Sequence, residues 1–380
     1  MHSGTVKTRR ECPPLSPERQ MLLCCARTVS EPADTERLRA LLRLPLVWED
    51  ILRLAEFHRL IPLLDRHLEE AEPEAVPAPV RAVLQARRHA GRLRETLLVG
   101  ALHSLLAQFA AAGIAALPYK GPALAAQVYG DAFLRPCSDL DILIPPPDIL
   151  RVKALLLAQG YQSQHQFADA AEEAAHLQTD CEYNFIRPAD QLLVEVHWRF
   201  RPQSFPFPLD LEELWGRRET ISLAGVPVPT LAWGDYLLLL CVHGAKHRWE
   251  RLIWVCDIAE IVRAHRDLPW GEIRARAERL GCGRILLLGL LLARDLLEAP
   301  VPDAMLRATP RAVAFLGGRV RRQLCGQRDL LPDVLFRPLF HIGVRERLRD
   351  QVPYWKDRVR REASRVQAEV QQRWSRSRPA

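Results

Sequence analysis

Ser138-Asp139-Leu140-Asp141-Ile142-Leu143-Ile144 alternates polar and apolar residues before it meets Pro145, the pattern of a half-buried β-strand. Side chains two positions apart on a strand leave the same face about 7 Å from each other. Asp139 and Asp141 are therefore expected on one face, with Leu140 and Ile142 turned into a core. Two carboxylates aimed at one spot repel each other unless a cation lies between them. Magnesium suits such a pair, because it uses one or two carboxylates together with substrate phosphate oxygens and waters; manganese is the alternative. Exposed acidic pairs are common, so the neighbours of this one decide its weight.

Downstream, Glu182 to Ile186 and Leu192 to Trp198 flank Arg187-Pro188-Ala189-Asp190 and read as a β-hairpin. Glu195 and His197 alternate with Val194 and Val196, so one acid and one imidazole share a strand face. A third carboxylate beside Asp139 and Asp141 completes the donor set of a two-metal site, with ions about 4 Å apart. Upstream, the apolar run Ile114 to Tyr119 ends in Lys120-Gly121, and a helical pattern follows from Pro122 to Tyr129. Glycine lets backbone approach a phosphate, and a helix start aims free N–H groups at an anion. Lys120 adds a point charge, and Arg135 is placed to clamp another phosphate oxygen. Lys120, Gly121 and Arg135 are thus the candidate nucleotide-binding residues.

In order, these features are Lys-Gly, a short helix ending in Tyr129, Arg135, Asp-Leu-Asp-Ile-Leu-Ile and Glu-Val-His-Trp. That order resembles the uncharacterised nucleotidyltransferase family of the polymerase-beta-like superfamily. The helical stretch His243-Gly244-Ala245-Lys246-His247, with Trp249, Leu252, Trp254 and Asp257, is similar to that family's downstream motif. A more remote likeness is to the abortive-infection antitoxin-system nucleotidyltransferases, where Lys-Gly also precedes Asp-x-Asp. The resemblance covers about residues 20 to 300. It implies a small mixed sheet with flanking helices, a divalent cation and a nucleoside triphosphate, with ATP the expected nucleotide. The superfamily's usual glycine-serine turn is replaced here by Lys120-Gly121, so the lysine is expected to take the contact a serine hydroxyl would make.

The expected reaction is attack of an acceptor hydroxyl, on a small molecule, peptide or protein, at the α-phosphate, with release of pyrophosphate. Asp139, Asp141 and Glu195 are the catalytic and metal-holding candidates. His197, Lys246 and His247 are candidates for contact with acceptor or nucleotide. The alternative is a non-catalytic nucleotide-binding regulator, antitoxin-like, that keeps the fold without the reaction; three intact acids count against it. His243 and His247 have i, i+4 spacing, but no third ligand of obvious type lies nearby and the His-Glu-x-x-His pattern is absent, so zinc is not favoured.

Around this block the fold class reads as α+β. Residues 1–110 form an N-terminal helical region, built from Pro17 to Arg27, Asp34 to Leu44, Trp48 to Leu68 with a break at Pro62, and Pro79 to Ala110. Residues 111–230 form the core, which includes a helix from Leu150 to Gln159. Residues 231–344 form a C-terminal helical domain of four helices, Asp235 to His247, Leu252 to His265, Trp270 to Leu280 and Arg284 to Leu297. Residues 345–380 form a basic helical tail. A chain of 380 residues supports two or three domains. Its apolar runs fall short of the roughly 20 residues a membrane helix needs, and Met1 to Pro14 has no apolar signal core.

Nine cysteines at irregular spacing, without a Cys-x-x-Cys pair, point to reduced thiols and a cytoplasmic protein. Of the net charge of +7, the segment from Arg345 onward holds +6. The body is near neutral, which leaves nucleic acid a partner that is not favoured.

Overall fold

The computed structural model describes residues 15–200, 211–327, 332–347 and 351–352; most of the expected basic tail lies outside them. The described residues open with five α-helices: α1 (Pro17–Cys25), α2 (Pro32–Leu42), α3 (Trp48–His58), α4 (Ile61–Ala71) and α5 (Ala78–Ala111). The apolar periodicity from Trp48 to Leu68 is broken between α3 and α4. Pro62 falls in the first turn of α4, where its missing N–H costs nothing. At 34 residues, α5 is about 50 Å long and serves two cores. Val80 and Leu84 pack with the helical core, while Leu98, Leu102, Leu105 and Phe109 pack under the sheet.

Next come β1 (Leu117–Pro118), α6 (Gly121–Tyr129), β2 (Asp139–Leu143), α7 (Ile149–Ala158), β3 (Gln162–Ser163), α8 (Ala170–Thr179), β4 (Glu182–Arg187) and β5 (Leu192–His197). The five strands form one mixed sheet in the order β1-β2-β5-β4-β3. Strands β2 and β5 run parallel, and the other pairings are antiparallel. Their register sets Asp141 beside Glu195 and Leu143 beside His197. Leu140, Ile142, Val194 and Val196 are buried on the α5 side of the sheet, which leaves the acids on the opposite face. The fold is therefore α+β with a small mixed sheet.

Helix α9 (Leu211–Arg217) leads to a hairpin, β6 (Glu219–Leu223) and β7 (Val226–Thr230). Pro227 and Pro229 argue against a strand in the sequence, yet a two-stranded ribbon has only edges, where proline is tolerated. Ala224 and Gly225, both at positive φ, make the tight turn that such a ribbon needs. Helix α8 also escaped periodicity, because none of its residues is fully buried.

Seven helices follow: α10 (Trp233–Lys246), α11 (Leu252–Ala264), α12 (Trp270–Leu280), α13 (Gly283–Leu297), α14 (Asp303–Leu306), α15 (Arg311–Leu324) and α16 (Asp333–Gly343). Trp249, wholly buried, fills the space left by Gly244 on α10 and Gly289 on α13; a Cβ at Gly244 would lie 2.6 Å from its ring. Among the described residues no helix is long and apolar enough to cross a membrane.

Candidate active site

Between the acidic face of the sheet and the α10–α11 corner lies a cavity of about 390 Å³. Asp139, Asp141, Glu195, His197, Lys120 and Gly121 all line it, and so do Arg135, Lys246 and His247. The sequence candidates therefore share one space, although they come from two strands, two helices and the connections beside them.

Lys120 is the N-cap residue of α6 in extended conformation, and Gly121 follows at φ +61°. That left-handed value favours glycine. A Cβ there would also lie 3.0 Å from the Asp139 carbonyl oxygen, so only glycine lets the start of α6 approach β2 this closely. The Lys120 ammonium bonds Asp141, which is 2% exposed. On the other side His197 Nε2 donates to Asp141 Oδ1 at 3.1 Å and lies 3.3 Å from Glu195 Oε2. His197 Nδ1 faces Glu182 Oε2 at 3.4 Å, and the ring packs edge-on against Tyr119.

Electrostatics divides the two aspartates. Burial would raise the Asp141 carboxyl, but Lys120 and His197 outweigh it and hold it well below the usual carboxylate range. Burial, then the charges of Asp141 and Glu195, push Asp139 up to about 6. His197 is buried, which opposes its charge, yet its bonds to Asp141, Cys181 and Glu195 raise it well above an ordinary imidazole. The floor of the cavity is a carboxylate cluster in which like charges already strain one member.

Arg135 is placed differently from a phosphate clamp. Its Nε and Nη2 donate to Asp257 Oδ1 and Oδ2 at 2.7 and 2.9 Å, and Tyr129 OH donates to Asp257 Oδ1 at 2.7 Å. The expected ligand for phosphate is thus engaged with a fully buried acid on α11. The His243 and His247 rings lie tilted to each other at 4.8 Å between centroids; His243 meets Trp254 edge-on at 5.4 Å and His247 lies tilted to it at 5.1 Å. Among the described residues, the groups of three close enough to hold a metal are Asp141, Glu195 and His197, and Cys181, Glu182 and His197.

Sequence reading missed three residues of the cavity wall that bear on its chemistry, Glu182, Arg59 and Arg251. Glu182 carried a usable signal, since it opens a strand whose register sets it opposite His197. Arg59 and Arg251 carried none.

The profile of the uncharacterised nucleotidyltransferase family matches residues 45–298, more than half of the chain. The chain belongs to that family. It is accordingly a transferase of the nucleotidyltransferase kind. None of the curated proteins is significantly similar to it in sequence. Two solved structures share part of its form. The antibiotic-resistance factor ANT(2'')-Ia is 14% identical with a TM-score of 0.33, over 49% of this chain and 91% of that one. An antigenic nucleotidyltransferase-like protein from Paracoccidioides brasiliensis is 17% identical with a TM-score of 0.32, over 56% of this chain and 96% of that one. Likeness at that level carries no argument about substrate.

Proposed function

We propose that the protein moves a nucleoside monophosphate from a nucleoside triphosphate, with ATP the expected nucleotide, to an acceptor hydroxyl, using magnesium held by Asp139, Asp141 and Glu195. One observation supports this most: three carboxylates from two adjacent parallel strands face one cavity. The donor set fits a hard divalent cation. Its oxygens come from carboxylates, and burial, joined by the charges of Asp141 and Glu195, pushes Asp139 up, a penalty that a cation would offset. When bound, magnesium would neutralise charge on the α-phosphate and make the acceptor oxygen more nucleophilic.

In this reading the acceptor oxygen attacks the α-phosphorus and forms the new phosphoester bond. The bond to the bridging oxygen breaks, pyrophosphate leaves, and the hydroxyl proton passes to Glu195. His197 holds Asp141 and Glu195 in place through its buried Nε2, and Lys120 balances the charge of Asp141. The N–H groups at the start of α6 face the anion. Lys246 and His247, across the cavity, are the residues assigned to the acceptor.

The bond from Lys120 to Asp141 favours a second reading, a nucleotide-binding regulator, because an ammonium already balances the carboxylate a metal would use. Incubation of the protein with each of four nucleoside triphosphates, magnesium and a cell extract, followed by mass spectrometry, separates the two. A species that gains a nucleotide supports transfer. Nucleotide binding without pyrophosphate release favours the regulator.

A further inference from the structure

Both cations that the sequence offers for a triphosphate have carboxylate partners. Lys120 is bonded to Asp141, and Arg135 is held by both oxygens of Asp257. A nucleoside triphosphate carries up to four negative charges and would enter a cavity whose floor is acidic. It needs positive charge from elsewhere in the wall.

Two arginines of that wall are without such partners. Arg59, directly after α3, and Arg251, directly before α11, both line the cavity. Each is half-buried, and among the described residues neither guanidinium is hydrogen-bonded or ion-paired to a carboxylate. Arg251 lies over the Phe57 ring at 5.8 Å. A buried bond joins the two positions: His58 Nδ1 accepts from the backbone N–H of Leu252 at 3.2 Å. His58 precedes Arg59 and Leu252 follows Arg251, so this bond ties both arginines to one corner of the cavity. Arg59 also sits at φ +58°, ψ +38°, a left-handed conformation uncommon for a residue with a side chain.

Two half-buried guanidiniums at one corner, neither bonded to a carboxylate, repel each other and have lost part of their water, and the charge of Asp139 offsets only part of this at Arg59. Burial, followed by the charge of Arg251, lowers the pKa of Arg59. Such a pair is stabilised by an anion with several oxygens, which arginine's planar fork matches.

We propose that Arg59 and Arg251 form the subsite for the β- and γ-phosphates of the nucleoside triphosphate, in the cavity they share with Asp139 and Asp141. This rests on the triphosphate-dependent reading above. It assigns a substrate-binding residue to the N-terminal helices, which the sequence leaves without a role. It also accounts for how a cavity with an acidic floor accepts a polyanion.

The test is calorimetric titration of the full chain with magnesium ATP, with inorganic tripolyphosphate and with AMP. The variants are Arg59→Gly and Arg251→Gln. Glycine relieves the left-handed backbone at position 59 as it removes the guanidinium, so Arg59→Gly keeps the fold, and a melting curve checks this. The wild type is expected to bind ATP and tripolyphosphate. Each variant should weaken both by about tenfold, a loss of roughly 1.4 kcal/mol, while AMP binding stays within about twofold, a margin well inside that tenfold step. Unchanged tripolyphosphate and ATP affinity in both folded variants would overturn the subsite and leave the triphosphate reading standing. Failure of the wild type to bind either polyphosphate would overturn both. An equal loss of AMP binding would also overturn the assignment, since it would place the arginines on the nucleoside half.

Discussion

Arg135 and Asp257 form a bidentate ion pair across 122 positions of sequence, at 2.7 and 2.9 Å, with Asp257 fully buried. The pair binds the loop before β2 to α11, and Tyr129 at the end of α6 shares the same carboxylate. It therefore fixes the two elements that frame Asp139 and Lys120 against the helices that close the cavity. Loss of one partner leaves an uncompensated buried charge. Arg135→Met is expected to lower unfolding free energy by about 3–5 kcal/mol, measured by urea denaturation. The double variant Arg135→Met/Asp257→Leu should recover part of that loss. A single variant as stable as the wild type would contradict a buried, structural role for the pair.

Gly121 is the tightest point between α6 and β2. Gly121→Ala puts a side chain on a residue at φ +61°, a conformation that costs about 1–2 kcal/mol, and sets its Cβ against the Asp139 carbonyl. A displacement of Asp139 by a fraction of an ångström should reduce pyrophosphate release by about 10–100-fold. The melting temperature should fall by only a few degrees. Activity lost no more than stability would show that the approach of α6 to β2 is not needed for the chemistry.

Glu95 on α5 accepts the Cys137 N–H at 2.7 Å and is 3% exposed. Burial pushes its carboxyl up from 4.5 to about 7, against the pull of the Cys137 N–H, Arg135 and Arg94. The folded value lies above the unfolded one, so the unfolded chain loses its proton first. The stabilisation is complete below pH 4.5 and is lost as pH rises through 7. Its size is about 3 kcal/mol. Glu95→Gln keeps an acceptor for Cys137 and removes the charge. Its unfolding free energy should exceed that of the wild type at pH 8, and the decline between pH 4.5 and 7 should flatten. Parallel pH profiles for the two proteins would refute the assignment.

His58 behaves in the opposite sense. Burial, then Arg19 and Arg251, push it down to about 4. It is neutral in the fold while the unfolded chain takes up a proton below pH 6.5. Stability should therefore drop on acidification from pH 6.5 to 4, by about 3 kcal/mol. His58→Gln, followed by denaturation at pH 7 and pH 4.5, should show a smaller difference between the two pH values than the wild type. An equal difference would exclude His58 as the source.

The strand of Asp139 and Asp141 was legible because its period of two survives in sequence, and Glu195 and His197 were legible for the same reason. Lys120-Gly121 was legible as a close approach, since a positive φ leaves glycine as its mark. Arg135 reads alike whether it faces a phosphate or a carboxylate far along the chain, so its partner became visible only in the fold. Arg59 and Arg251 share no local pattern at all; a tertiary hydrogen bond between His58 and Leu252 brings them together. Proline disguised β7, and α8 buries too little to show an apolar face.

The most direct test of the central claim is pyrophosphate release from ATP, with magnesium and a cell extract as the source of acceptor, by the wild type and by Asp139→Asn/Asp141→Asn. The wild type is predicted to release pyrophosphate. The double variant, folded by circular dichroism, is predicted to release none above the extract alone. A double variant as active as the wild type would contradict the claim that these carboxylates carry the reaction.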